Sequence, residues 1–256
     1  MEREVILDKL KCADMVLVGL GEVFDGTKYL QRSRQYCEGS ALLKETGFDW
    51  MIPGWKEYCL ERLGVNSIES ALENLEELLA GKNYFAVSVS TNSRIERNLR
   101  VVMPCGSIKR KQCGAGCDEM LSEVTCGEGE WLGRQFDALW EGHKPEAWPD
   151  ICGSCGAAYT FNTVYSAHYN EKGYLEQWKL YMKWLQGTLH HSLLILELGV
   201  GMDFPTVIRW PFEKTVFLNK KAYLCRVHEH LYQMTEELAG KGCGISEDAV
   251  DWIARL

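Results

Sequence analysis

The 256-residue sequence has no long apolar run. Its first one, Met15 to Leu20, falls far short of the roughly 20 residues needed to cross a bilayer, so no membrane partner is expected. Clustered positive charge is also missing. Lys and Arg total 28 against 36 Asp and Glu, a net charge of −8, and no basic block exceeds the three residues from Lys109 to Lys111. Phosphate-binding surfaces draw on clustered cations, so nucleic acid is excluded as a partner. Proline is scarce, 6 residues beside 24 glycines, and 46% of the chain is hydrophobic, which excludes collagen-like order and general disorder. The 11 cysteines are odd in number and scattered, unlike a disulfide-stapled framework. Glu2, Glu4 and Asp8 stand where a signal peptide is cationic, so a cytoplasmic chain with reduced thiols is expected.

What is present reads as one large or two small domains at roughly 100–200 residues each. MVLVGLG at 15–21 is an apolar run of strand length closed by glycines. Further strands are expected at 83–90, near 100–103, at 158–164, 193–201, 215–218 and 222–227. Helices fill 24–81, the clearest with Ile68, Leu72, Leu75 and Leu79 on one face, and recur near 173–189 and 247–254. Strands alternating with helices imply an α/β fold: a parallel sheet with helices on both faces.

Residues 105–156 are glycine-rich and carry Cys113-x3-Cys117 and Cys152-x2-Cys155. Two thiolates from one tight turn can share a tetrahedral ion, and two such turns complete a four-sulfur zinc site. Four thiolates leave no open coordination position, so the expected zinc is structural.

Two glycine pairs follow apolar strands. Gly19 and Gly21 stand where a pyrophosphate can approach backbone N–H groups, or where a turn simply needs them. The full G-x-G-x-x-G is absent, since position 24 is Phe. Gly199 and Gly201 open the tract ELGVGMDFPTVIRWPFE, in which Arg209 either contacts a phosphate or carboxylate or forms a helical ion pair with Glu213.

Taken together, this order resembles the sirtuins, and the LELGVG to PFE tract is similar to that of their macrodomain-associated class. The resemblance implies a Rossmann-type NAD-binding domain from 1–104 and 157–256, with a helical insertion at about 24–81 and a small zinc-ribbon module at 105–156. It places the NAD pyrophosphate at Gly19 and Gly21, and the adenosine ribose near Gly199, Gly201 and His228. Ser88, Ser90 and Asn92 replace the Thr, Asn and Asp of the family's T-x-N-x-D segment. Glu22 and Asp25 lie in the first loop, within reach of NAD or solvated. The histidines of the family pattern fall on Ile95 and Cys105, so the usual catalytic base has no counterpart and the catalytic residues stay unknown. Two functions remain: cleavage of the nicotinamide glycosidic bond with transfer of ADP-ribose to a protein side chain or acyl group, as in sirtuin ADP-ribosylation and deacetylase chemistry, or non-catalytic binding of NAD or ADP-ribose.

Overall fold

The computed structural model describes residues 2–117 and 121–256. Nine strands are present among them: β1 (Met15–Leu20), β2 (Asn83–Ser88), β3 (Val101–Val102), β4 (Gly106–Cys113), β5 (Ser122–Glu123), β6 (Tyr159–Thr163), β7 (Leu193–Leu198), β8 (Ala222–Val227) and β9 (Gly242–Ile245). Six form one sheet in the order β3-β2-β1-β7-β8-β9, with every neighbouring pair parallel. β5, β4 and β6 form a separate antiparallel sheet.

All residues of β1 and β7 are buried, because a parallel sheet is covered on both faces. Side chains alternate across a strand, so each strand feeds two cores. Val16, Val18, Leu20, Leu194, Leu196 and Leu198 join Leu30, Leu43, Trp55, Ile68 and Leu72 of the helical insertion. Leu17, Leu193 and Ile195 face Tyr181, Trp184, Phe212 and Val216 on the opposite side. Each fully buried aliphatic side chain of this kind contributes about 1.5–3 kcal/mol. The expected helix spans Ser67–Leu79 with Ile68, Leu72, Leu75 and Leu79 buried, and Gly81 leaves it at φ 74°.

Two expectations are corrected. Residues 215–218 end the helix Arg209–Leu218 rather than forming a strand. Phe212 and Val216, one helical turn apart, bury against the sheet and override the β preference of Thr215 and Val216. The strand at 158–164 exists as β6, but it pairs with β4 outside the parallel sheet. The glycine-rich segment also holds a 15-residue helix, Cys126–Trp140, started by a Thr125–Glu128 capping box and burying Leu132, Phe136 and Leu139 against the helical insertion. No helix is long and apolar enough to cross a membrane among the described residues.

The chain leaves β1 toward β2 on one side and β7 toward β8 on the other. The carboxyl ends of β1 and β7 are therefore the point where the winding reverses, which is where open parallel sheets hold ligands.

Candidate functional site

The four predicted cysteines come together. Sγ–Sγ distances are 3.6 Å for Cys113–Cys117, 3.5 Å for Cys113–Cys155 and 3.6 Å for Cys117–Cys152, and all four sulfurs lie within 4.8 Å of one another. A tetrahedron with metal–sulfur bonds of about 2.3 Å has edges of about 3.8 Å, so the cluster fits such an ion. β4 carries Cys113, and the N–H of Gly156 donates to the Cys152 carbonyl to close the second turn.

At the winding reversal the two glycine pairs also meet, although not as an open cradle. Gly19 lies inside β1, where an added Cβ would fall 2.6 Å from Ile208 and 2.7 Å from Phe212; its bareness lets the helix Arg209–Leu218 approach the strand. A Cβ on Gly21 would fall 1.9 Å from the Gly199 carbonyl oxygen, so this glycine permits contact between two backbones. Gly199 itself has φ 61°, a conformation glycine favours. The N–H groups are spoken for: Gly21 donates to the Leu198 carbonyl at 2.9 Å, Gly199 to the Val227 carbonyl at 2.8 Å, and Gly201 to Glu22 Oε2 at 2.7 Å. A bulky side chain at position 21 would thus disrupt the meeting of the two loops as well as any ligand site.

Beside these loops lies a cavity of about 460 Å³ lined by Glu22, Asp25, Lys56, Thr91, Tyr165 and Asp203, among others. Its size is that of small-molecule sites. A larger recess of about 650 Å³ sits around Met15, Asn83 and His191 at the amino ends of the strands, the end that parallel sheets rarely use. Asp25 is the hub of the smaller cavity. Its Oδ1 accepts from Ser90 Oγ at 2.6 Å and from the Thr91 N–H at 2.9 Å, and its Oδ2 faces Lys56 Nζ at 3.3 Å. Lys56 Nζ also donates to the Tyr165 hydroxyl at 3.1 Å. Burial disfavours the ammonium, but Asp25 and Tyr165 outweigh it and hold the lysine above its ordinary pKa.

Ser90 and Asn92 are buried, and they tie the exit of β2 to the first loop rather than facing open space. Asn92 Nδ2 donates to the Phe24 carbonyl at 2.9 Å, and its own N–H donates to Ser90 Oγ at 3.2 Å. Ser88 Oγ accepts from the Ser90 N–H at 3.1 Å. Ile95 lies in the apolar core and Cys105 is buried, its thiol pushed well up by burial with Asp25 and Glu22 adding like charge. Among the described residues no histidine lines the cavity. His228 follows β8 and accepts the N–H groups of His230 and Leu231 on Nδ1, at 3.0 and 2.9 Å.

Arg209 does not form the expected helical ion pair with Glu213. It is buried and ion-pairs with Glu197 at 3.1 Å, while donating to the carbonyls of Val200 and Leu231 at 2.9 and 3.0 Å. Glu213 pairs instead with Arg226, whose guanidinium also makes a two-pronged contact with Glu197 at 2.7 and 3.0 Å. This buried charge network braces the loop that bears Gly199 and Gly201.

Solved structures resemble the chain over its whole length. A Sir2 protein bound to a propionylated peptide superposes with a TM-score of 0.56 at 12% identity, covering 100% of this chain and 97% of that one. A Sir2 complex with a p53 peptide and NAD gives 0.53 at 12%, covering 100% and 97%. The chain has the sirtuin fold. A mutant Sir2 homologue in complex with ADP-ribose gives 0.51 at 15% identity over 98% of this chain and 95% of that one. No protein-family model matches the sequence. A probable bifunctional ADP-ribose hydrolase/ADP-ribosyltransferase of Fusarium oxysporum f. sp. cubense is 38% identical over 71 residues, 26% of this chain; the match spans only 11% of that relative.

Within the sirtuin fold, sequence reasoning missed Lys56, Thr91, Tyr165 and Asp203 as cavity residues. Lys56 carried a signal: it sits among Trp55, Cys59 and Leu60 on the buried face of the helix Ile52–Arg62, where a charge is anomalous. Tyr165 and Asp203 gave none, because only the meeting of three distant loops brings them in.

Proposed function

We propose that this chain binds NAD or ADP-ribose in the cleft at the carboxyl ends of β1, β2 and β7, without a general base of the histidine kind, and holds a structural zinc ion on Cys113, Cys117, Cys152 and Cys155. The observation that carries the reading is the cavity at the winding reversal of a sirtuin fold, lined by polar groups from the first loop, the helical insertion and the loop after β6, and free of histidine among the described residues. The neighbours solved with NAD and with ADP-ribose support this ligand class. The pyrophosphate belongs with the loop of Gly21 and Glu22 where β1 ends, the adenosine half with Gly199, Gly201 and His228, and Ser90 and Asn92 shape the wall behind them, while Gly19 serves the packing of the helix Arg209–Leu218 instead. The glycine N–H groups do not form an open anion cradle in this arrangement.

The local match to the Fusarium protein favours a second reading, transfer of ADP-ribose to a protein side chain or acyl group. Calorimetric titration with NAD and ADP-ribose up to millimolar concentration, alongside mass-spectrometric detection of nicotinamide, separates the two. Saturable binding with no nicotinamide beyond the blank is the expected result. Sustained release together with ADP-ribose found on a protein or acyl acceptor establishes the second reading, and absence of binding by both nucleotides overturns the proposal.

A further inference from the structure

The carboxylate of Glu22 sits where a nucleotide of this cleft would need a donor. At the winding reversal, the backbone N–H groups of the residues that follow β1 and β7 are the natural partners for a diphosphate. Those of Gly21 and Gly199 are consumed by the carbonyls of Leu198 and Val227, which leaves the Gly201 N–H as the outward donor of the three. That donor is held by Glu22 Oε2 at 2.7 Å, and a Cβ on Gly201 would lie 3.1 Å from the same carboxylate. The second oxygen, Oε1, is buried and has no hydrogen-bond partner among the described residues. A carboxylate held by the Gly201 N–H, with its own backbone N–H adding to the restraint, and left with an orphaned buried oxygen is an anion in an anion's place. Burial pushes this carboxyl above its ordinary range, with Asp203 and Asp25 adding like charge against the restraining Gly201 N–H.

We infer that Glu22 is a built-in occupant of the diphosphate subsite, so that a nucleotide bearing a pyrophosphate must displace it while a ligand without phosphate need not. The inference rests on the nucleotide-binding reading above and adds to it a selectivity: the resting cleft discriminates against diphosphates through one side chain. Electrostatics works in the same direction. Glu22, Asp25 and Asp203 face the cavity with Lys56 as the cation lining it, and that lysine is already bonded to Asp25. An approaching diphosphate therefore meets like charge at short range.

The test is calorimetric titration of ADP-ribose and, in parallel, adenosine into the full chain and its Glu22→Gln and Glu22→Ala variants, with bound metal and thermal unfolding as controls of integrity. Glu22→Gln keeps the shape and removes the charge; Glu22→Ala also frees the Gly201 N–H. The expected result is a gain in ADP-ribose affinity of about tenfold or more in Glu22→Ala and a smaller gain in Glu22→Gln, with adenosine changing less than about twofold. Equal ADP-ribose affinity in wild type and both variants overturns the inference and leaves the nucleotide-binding reading standing. Equal gains for adenosine and ADP-ribose also overturn it, since Glu22 would then merely occupy space. Binding by none of the three proteins overturns the inference and the nucleotide reading together.

Discussion

In the parallel sheet the residues of β1 are all apolar or glycine, and the one charge in β7, Glu197, is answered by Arg226 directly across on β8. In the antiparallel sheet the buried residues of β4 and β6 include Ser107, Lys111, Gln112, Asn162 and Thr163. Two of these polar groups bond each other, Asn162 Nδ2 donating to Gln112 Oε1 at 2.6 Å, and Gln112 Nε2 donates to the His168 carbonyl at 2.7 Å. Lys111 bonds Glu128, which also takes the Trp148 indole N–H at 3.0 Å. The large sheet gains its stability from apolar area on two faces. The small one has little such area, and its order depends on polar pairing and on whatever binds the four sulfurs. The two regions should therefore fail under different insults.

The largest expected effect breaks the small region alone. Replacing Cys152 and Cys155 by Ser removes half of the sulfur cluster, and structural zinc sites contribute about 10–16 kcal/mol of metal binding to folding. Elemental analysis should show loss of zinc, tryptophan fluorescence should change around Trp148, and limited proteolysis should cut within 105–163, while the far-ultraviolet signal of the parallel sheet persists. Simultaneous loss of both regions would show that the comparison is wrong.

A reciprocal variant attacks the large sheet. Arg226→Met strips the two-pronged partner from Glu197, which is fully buried, leaving Arg209 at 3.1 Å as its remaining cation. Breaking a buried pair from one side costs about 3–5 kcal/mol, so urea denaturation should show a loss of about 3 kcal/mol with zinc content unchanged.

The smallest effect concerns pH at the rim of the large sheet. His228 Nδ1 accepts two backbone N–H groups, which requires that nitrogen to be unprotonated, and burial with Arg209 and His230 nearby holds its pKa below the ordinary value of 6.5. The folded chain thus binds fewer protons here than the unfolded one. The contribution of His228 is complete above about 6.5 and fades as the pH falls through the lower folded-state value. The stability gap between wild type and His228→Ala, read from thermal melts at pH 5 to 7.5, should be widest at pH 7.5 and shrink toward pH 5. A gap that widens in acid would reverse the assigned protonation.

Much of the large sheet is legible in the sequence. β1, β2, β7 and β8 are short apolar runs bounded by turn residues, and the helix Ser67–Leu79 shows its period plainly. β4 escaped notice because its buried residues are polar, so its pattern resembles a loop until Asn162 and Gln112 face each other. The helix Arg209–Leu218 was misread at its end because Thr215 and Val216 favour strands locally, and only the bare Cα of Gly19 explains why Phe212 can pack there as part of a helix. In the candidate site, the glycine pairs were found by their position after apolar strands, yet their role in mutual backbone contact was not visible. Asp25 looked like a loop carboxylate and is the hub of the cavity.

By itself the sequence determined the features set by local spacing: the apolar periods of the main strands and helices, and the two cysteine pairs whose tight turns present sulfur in twos. Only the tertiary structure decided which partner answers each buried charge. Glu197 to Arg226, Arg209 to Glu197, Lys56 to Asp25 and Glu22 to Gly201 are separated by up to 179 positions along the chain. A buried charge is tolerated only beside its partner, and the partner is chosen by strand order and loop meeting, neither of which local residue spacing encodes.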